Sequence, residues 1–216
     1  LFPWSSAGAG AVRARLSPLR GNRSAALSCV WQGACTESVE AAGQCPDAAR
    51  FVGMRAIAGT AVGVLSHTVS GSRWHNLWFN GRLHGETGIN AALCGNWGCP
   101  VLLVTGDKQT CAESTSLLGE GLTTVAVKTG IGRFSARQLT PVRACEAIEA
   151  GARKALSDLK AVPPYDPGRP SEITVEFVHA DGTEKYAHRN GVEVLDGRRI
   201  KSVAADWWSA WRQFYF

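Results

Sequence analysis

Residues 85–107, GETGINAALCGNWGCPVLLVTGD, decide the fold class. Gly88 to about Trp97 reads as a helix stopped by Gly98 and Pro100, because both residue types end helices. Val101–Val104 follows as a short, wholly apolar strand. Working outward, Thr110–Leu118 is expected as a helix and Leu122–Lys128 as a strand. Pro141–Lys160 is expected as a long amphipathic helix with proline in its first turn. Upstream, Phe51–Met54 and Val62–Leu65 read as short buried strands, and Leu77–Phe79 as a strand entering a hairpin turn at Asn80-Gly81-Arg82. Strands alternating with helices of this length imply an α/β fold, a largely parallel sheet flanked by helices.

The chain divides unevenly. Residues 1–50 are rich in Ala, Arg, Gly, Ser and Cys, and no strand or amphipathic helix stands out in them by periodicity. Residues 51–161 form the α/β, catalytic-type region. A turn-rich linker, Val162–Gly168, then leads into a smaller C-terminal α+β module over 162–216. That module holds a strand at Ile173–Val178 and ends in Trp207, Trp208, Trp211, Phe214 and Phe216. Trp207, Trp211 and Phe214 recur at helical spacing, which suits a core or subunit-contact stripe, and the crowded aromatic terminus is expected to support assembly.

A chain of 216 residues with 45% hydrophobic residues can bury a substantial core. Its net charge of +5 is modest, and the arginines are scattered without an interleaved aromatic stripe, so no nucleic-acid partner is expected. No apolar run approaches the roughly 20 residues needed to span a bilayer, so no membrane partner is expected either. Seven cysteines without a C-x-x-C pair, and no signal peptide ahead of them, place the expected location in the cytoplasm.

The chemistry-bearing residues cluster between 66 and 107. His67 stands between Ser66 and Thr68, and Glu86 opens the Gly-flanked helix. A histidine and a glutamate so placed are what a metal-dependent hydrolase brings together, although His67 alone also fits a strand-end histidine bonded to a carbonyl and Glu86 a carboxylate favoured by the helix dipole. His75 and His84 read as strand and turn surface residues, and His179 and His188 as solvated. Lys128 and Arg133 stand where a polar wall could meet a substrate carboxylate. Cys94, Cys99, Cys111 and Cys145 fall on elements expected to be buried. Cys29, Cys35 and Cys45 fit no zinc spacing.

Phe51-Val52-Gly53, Ala58-Gly59-Thr60, Gly63 through Thr68, Gly85-Glu86 through Asn90-Ala91, Pro100 through Asp107, Ala126-Val127-Lys128 and Gly132-Arg133 together carry a resemblance. From about Phe51 onward the chain resembles the zinc-dependent D-aminopeptidases of the bacterial dipeptide-permease operon type. The resemblance implies an α/β fold, two zinc ions, removal of amino-terminal D-residues from short peptides, and a ring-shaped homo-oligomer. It implies His67 as the catalytic histidine and Glu86 as a metal ligand. The family's other ligands do not carry over. Its Gly-Tyr-His-Ala turn is Gly53-Met54-Arg55-Ala56 here, and arginine has no lone pair to offer a metal. Its Asp-x-Glu pair and earlier Ser-His have no counterpart, since residues 1–50 contain only Glu37, Glu40 and Asp47 as carboxylates and no histidine precedes His67.

Those absences suggest that residues 1–50 are a different reading frame of the same DNA, or the replacement sequence of a truncated gene. The expected function is a D-aminopeptidase-family metallopeptidase with impaired activity. The alternative is a non-catalytic, oligomer-forming or peptide-binding relic, and a third reading has Arg55 supplying positive charge where a metal once sat.

Overall fold

The computed structural model describes the backbone of residues 13–18, 25–30 and 47–215, and the side chains of residues 47–215. Two sheets organise it. The first contains β1 (Arg13–Pro18), β2 (Ala25–Val30), β3 (Ala48–Val52), β6 (Val101–Asp107), β7 (Thr123–Gly132) and β8 (Ser135–Gln138), in that spatial order. Its inner pairs, β2 with β3, β3 with β6 and β6 with β7, are parallel, and its two outer pairs are antiparallel. The expected α/β class with a largely parallel sheet is what forms. Every residue of β6 is buried, as the unbroken apolar run requires of a strand covered on both faces.

The second sheet is wholly antiparallel. It orders β10 (Val192–Val194), β11 (Arg199–Ala204), β9 (Ser171–Phe177), β4 (Trp74–Phe79) and β5 (Arg82–Leu83). β4 and β5 form the expected hairpin, and Asn80 and Gly81 at its turn both have positive φ, 47° and 78°. The strand expected near Ile173 therefore pairs with one from residues 74–79, on the other side of the Val162–Gly168 linker.

Helix α1 (Glu86–Asn96) follows the hairpin, and α2 (Lys108–Leu118) and α3 (Pro141–Ala155) pack on β6 and β7. The third helix stops at Ala155, short of the expected Lys160, because Leu156 caps it and the chain then turns. A 3-10 helix, Ala180–Tyr186, and α4 (Trp207–Tyr215) complete the chain.

Two expectations are corrected here. Residues 13–18 and 25–30 are strands, although nothing in their pattern announced them. The reason is tertiary: β2 is held by parallel pairing to β3, with Leu27 opposite Ala49, and pairing overrides weak local preference. Val62–Leu65 is not a strand. It is a succession of turns in which Val62 and Leu65 adopt φ of 52° and 53°.

Of the two roles expected for the aromatic stripe, it takes the core one. Trp207, Trp211 and Phe214 are buried within the chain. α4 lies on the second sheet, and Trp211 stacks on Trp207 with ring centroids 5.2 Å apart while Trp74 and Phe79 meet it from β4. Such contacts fill a core and leave little of the stripe for a partner. Replacing Trp211 by alanine should lower unfolding stability by about 3–5 kcal/mol. The folded fraction should keep the parent's sedimentation profile, and a changed profile in urea-free buffer would return the stripe to an interface role.

Candidate functional site

Between β3 and β4 the chain has no helix or strand, so its backbone N–H groups need partners from elsewhere. Carboxylates supply several. Ile57 N–H donates to Glu113 Oε2 at 3.0 Å, Val64 N–H to Asp107 Oδ2 at 2.8 Å, and Val69 N–H to Glu86 Oε1 at 3.0 Å. The Thr60 hydroxyl also donates to Glu113. Thr68 Oγ1 accepts from Ala58 N–H, and Thr105 accepts from Gly53 and Met54. Asp107 has a second task, since its other oxygen caps α2 by accepting from Thr110 N–H at 2.8 Å. The loop is thus fixed from α1, the end of β6 and α2 together.

Its conformation carries strain. Val62, Leu65 and Val69 all have φ between 52° and 60°, a region costly for any residue with a Cβ and most so for the two valines, which branch there. The loop also lies close against β7: a Cβ on Gly130 would sit 1.7 Å from the Val62 carbonyl oxygen. Only glycine permits that approach. Leu65 N–H donates to the Arg133 carbonyl at 2.8 Å in the turn that follows that strand, closing the contact.

This loop delivers His67 to Glu86. His67 Nε2 lies 3.5 Å from Glu86 Oε1, with both side chains largely buried. His67 Nδ1 lies 2.7 Å from the Leu65 carbonyl, an atom that can only accept, so Nδ1 carries the hydrogen and Nε2 the lone pair. Burial lowers the His67 pKa, and the nearby Arg55 and Arg133 guanidinium groups push the same way, against the Leu65 carbonyl. Burial pushes Glu86 up to about 8, opposed by the Val69 N–H and by Arg55. Glu86 Oε2 is buried with no hydrogen-bond partner, as are Thr87 Oγ1 and both amide atoms of Asn90 one turn further along α1.

A catalytic zinc takes about three protein ligands and keeps a further position open. The described residues offer Glu86, with one unused oxygen, and the imidazole of His67, with Arg55 adding positive charge to both. Among the described residues no group of three or more His, Cys, Asp or Glu could hold a metal ion. These donors do not make a zinc site. Glu37 and Glu40 lie outside the described residues.

The other candidates separate clearly. His84 is buried, not the surface residue expected: it stacks on Phe79 at 4.3 Å and bonds the Tyr165 hydroxyl at 2.7 Å, and burial lowers its pKa to about 4. The hairpin turn folds it back under α1, which periodicity could not reveal. His75 is exposed beside Glu176, and His179 and His188 are exposed as expected. Cys94, Cys99 and Cys111 are buried, but Cys145 is exposed, because α3 buries only Gly151 and Ala155. Cys29, Cys35 and Cys45 have no described side chains. Asp107 and Glu113 were not singled out for any role. Asp107 before a helix is a legible cap, whereas nothing in the sequence ties Glu113 to residue 57.

A cavity of about 370 Å³ opens beside the pair, walled by His67, Arg133, Thr60, Ser66 and Trp74 among others. A second, of about 340 Å³, lies at the start of α1 with Arg55, Arg82 and Glu113 on its wall.

The sequence profile of the M55 D-aminopeptidases matches residues 34–216. The chain belongs to that family. The match begins at residue 34, ahead of the Phe51 boundary expected from sequence. A D-aminopeptidase of Bacillus subtilis (strain 168) is 31% identical over 154 residues, which are 71% of this chain and 53% of the relative. The chain therefore spans about half the length of that relative. The solved structure of a Zn-dependent D-aminopeptidase, DppA from Bacillus subtilis, described as a self-compartmentalizing protease, superposes with a TM-score of 0.72. It is 29% identical, over 78% of this chain and 61% of that one.

Two outcomes follow from the loop's anchoring. Gly130→Ala should destabilise by at least about 1–3 kcal/mol, because strand and loop cannot both keep their places. Glu113 has its pKa raised, chiefly by burial, against the Thr60 and Ile57 hydrogen bonds. The folded state therefore binds the Glu113 proton more tightly than the unfolded chain, and that contribution to stability is full below the ordinary carboxylate pKa and lost as pH rises through the raised one. Urea unfolding across that window should show a pH slope that shrinks in Glu113→Gln. An unchanged slope would remove Glu113 as its source.

Proposed function

We propose that this chain carries the D-aminopeptidase active-site framework in an impaired form, with an ancestral reaction that removes an amino-terminal D-residue from short peptides. The observation that supports this most is the company His67 and Glu86 keep. They approach to 3.5 Å on a loop fixed by carboxylates, yet Arg55 contributes positive charge beside them. A cation there opposes metal binding, and no third donor stands with the pair among the described residues.

In this reading His67 is the catalytic histidine. Its Nδ1–H is tied to Leu65, so the ring is oriented and Nε2 can take or return a proton. Glu86 is the surviving ligand, and its unpartnered Oε2 is the atom that would face a metal. Two zinc ions would need donors beyond these. The relic reading is favoured by the same Arg55, whose charge offsets part of the burial cost of the Glu86 carboxylate without any metal.

A homo-oligomer is proposed as well, but through a different surface from the C-terminal stripe. Ile131 is 69% exposed, Phe134 79% and Val142 67%, around the β7–β8 hairpin and the first turn of α3. Apolar groups this exposed favour a protein contact. On its cysteine usage, seven cysteines without a C-x-x-C pair, we place the chain in the cytoplasm. Residues 1–50, 51–161 and 162–216 are kept as its proposed segments, the first lacking the family's ligands.

Metal analysis by mass spectrometry with a D-Ala-D-Ala hydrolysis assay tests the reading. The purified chain should hold well under two equivalents of zinc and turn over feebly, and Arg55→His alone should not restore a normal rate. Two tightly held equivalents with ordinary turnover would contradict it. Phe134→Glu should shift the sedimentation profile toward smaller species, and no shift would remove the hairpin from the contact.

A further inference from the structure

The groove beside His67 has an unusual chemical bias. Its lining includes Arg133, His67, His75, Thr60, Ser66 and Trp74, and among the described residues no carboxylate lines it. The cavity at the start of α1 is different, for there Glu113 shares the wall with Arg55 and Arg82. A groove whose described lining carries a permanent cation and no acid attracts an anion.

Arg133 is held to this task by its backbone. The residue sits at the β7–β8 turn, and its carbonyl accepts from Leu65 N–H at 2.8 Å, which ties it to the loop that carries His67. Its side chain reaches back over that loop. A Cβ built on Gly71 would lie 3.6 Å from Arg133 Nη2 and 3.7 Å from His67 Cβ, so the guanidinium and the His67 side chain both flank Gly71. The guanidinium also stands close enough to His67 to lower its pKa. The side chain is exposed at the rim, where its guanidinium lies 5.1 Å from the centroid of the exposed Phe134 ring, so taking up a ligand does not unpack the core.

We propose that this groove binds the terminal carboxylate of a short peptide, with Arg133 as the anchoring residue. The inference rests on the reading of His67 as the reacting side of the same groove. Arginine suits the role because its planar fork matches a carboxylate with two parallel hydrogen bonds. About 370 Å³ accommodates two or three small residues. Anchoring one end at Arg133 makes peptide length a property of the groove: a free carboxylate is recognised, and a longer or amidated peptide loses that contact. Arg133 is a specificity-determining residue in this arrangement and takes no part in bond breaking.

Isothermal titration of the full chain with D-Ala-D-Ala and with its carboxy-terminal amide separates this from the peptidase reading, provided hydrolysis is followed in parallel on the same samples. Binding of the free acid should be about tenfold tighter than that of the amide. Arg133→Gln should abolish the difference, and Arg133→Lys should keep part of it, because the charge remains while the fork is lost. Equal affinity for acid and amide in the parent, discrimination that survives in Arg133→Gln, or binding of neither ligand would each overturn the proposal. Presence or absence of hydrolysis bears on the peptidase reading alone.

Discussion

Carboxylates accepting backbone N–H groups are the interaction on which the site depends. Glu86, Asp107 and Glu113 come from α1, the end of β6 and α2, and each takes one amide of the irregular segment between Ile57 and Val69. A loop that leaves helix and sheet must satisfy its peptide groups some other way, and buried amides without partners cost about 1–3 kcal/mol each. These acids remove that cost and also tolerate the left-handed backbone at Val62, Leu65 and Val69. Were the loop free to relax, nothing would hold His67 within 3.5 Å of Glu86.

The same design sets the electrostatics. Glu86 is divided between two demands, because one oxygen holds Val69 while the other is buried without a partner. Arg55 offsets part of the desolvation of that carboxylate, and the same charge disfavours a protonated His67. Positive charge beside this pair from Arg55 and Arg133 suits an anionic ligand better than a metal cation. Membership of a family that includes a Zn-dependent enzyme and the departures in this chain are thus both visible at one place.

Much of the fold was legible because it follows from local pattern. Val101–Val104 is an apolar run and proved buried throughout, Asn80-Gly81 is a hairpin turn, and Gly85 and Pro100 bracket α1. What failed depends on contacts between distant residues. β1 and β2 exist through pairing, not propensity. Val62–Leu65 looks apolar enough for a strand but is bent by Asp107 and by the close approach of Gly130. At the site, His67 and Glu86 were readable from the Ser-His-Thr and Gly-Glu segments. Glu113 was not, because its partner lies 56 residues away and is a main-chain amide, which leaves no mark in side-chain pattern. His84 was misjudged for a like reason, since its partner Tyr165 is 81 residues off.

Amide hydrogen exchange at Ile57, Val64 and Val69 tests the carboxylate anchoring most directly. All three amides should exchange slowly despite lying in a segment without helix or strand, and Glu113→Gln should release Ile57 first. Exchange of the three at the rate of unprotected loop amides in the parent protein would contradict it.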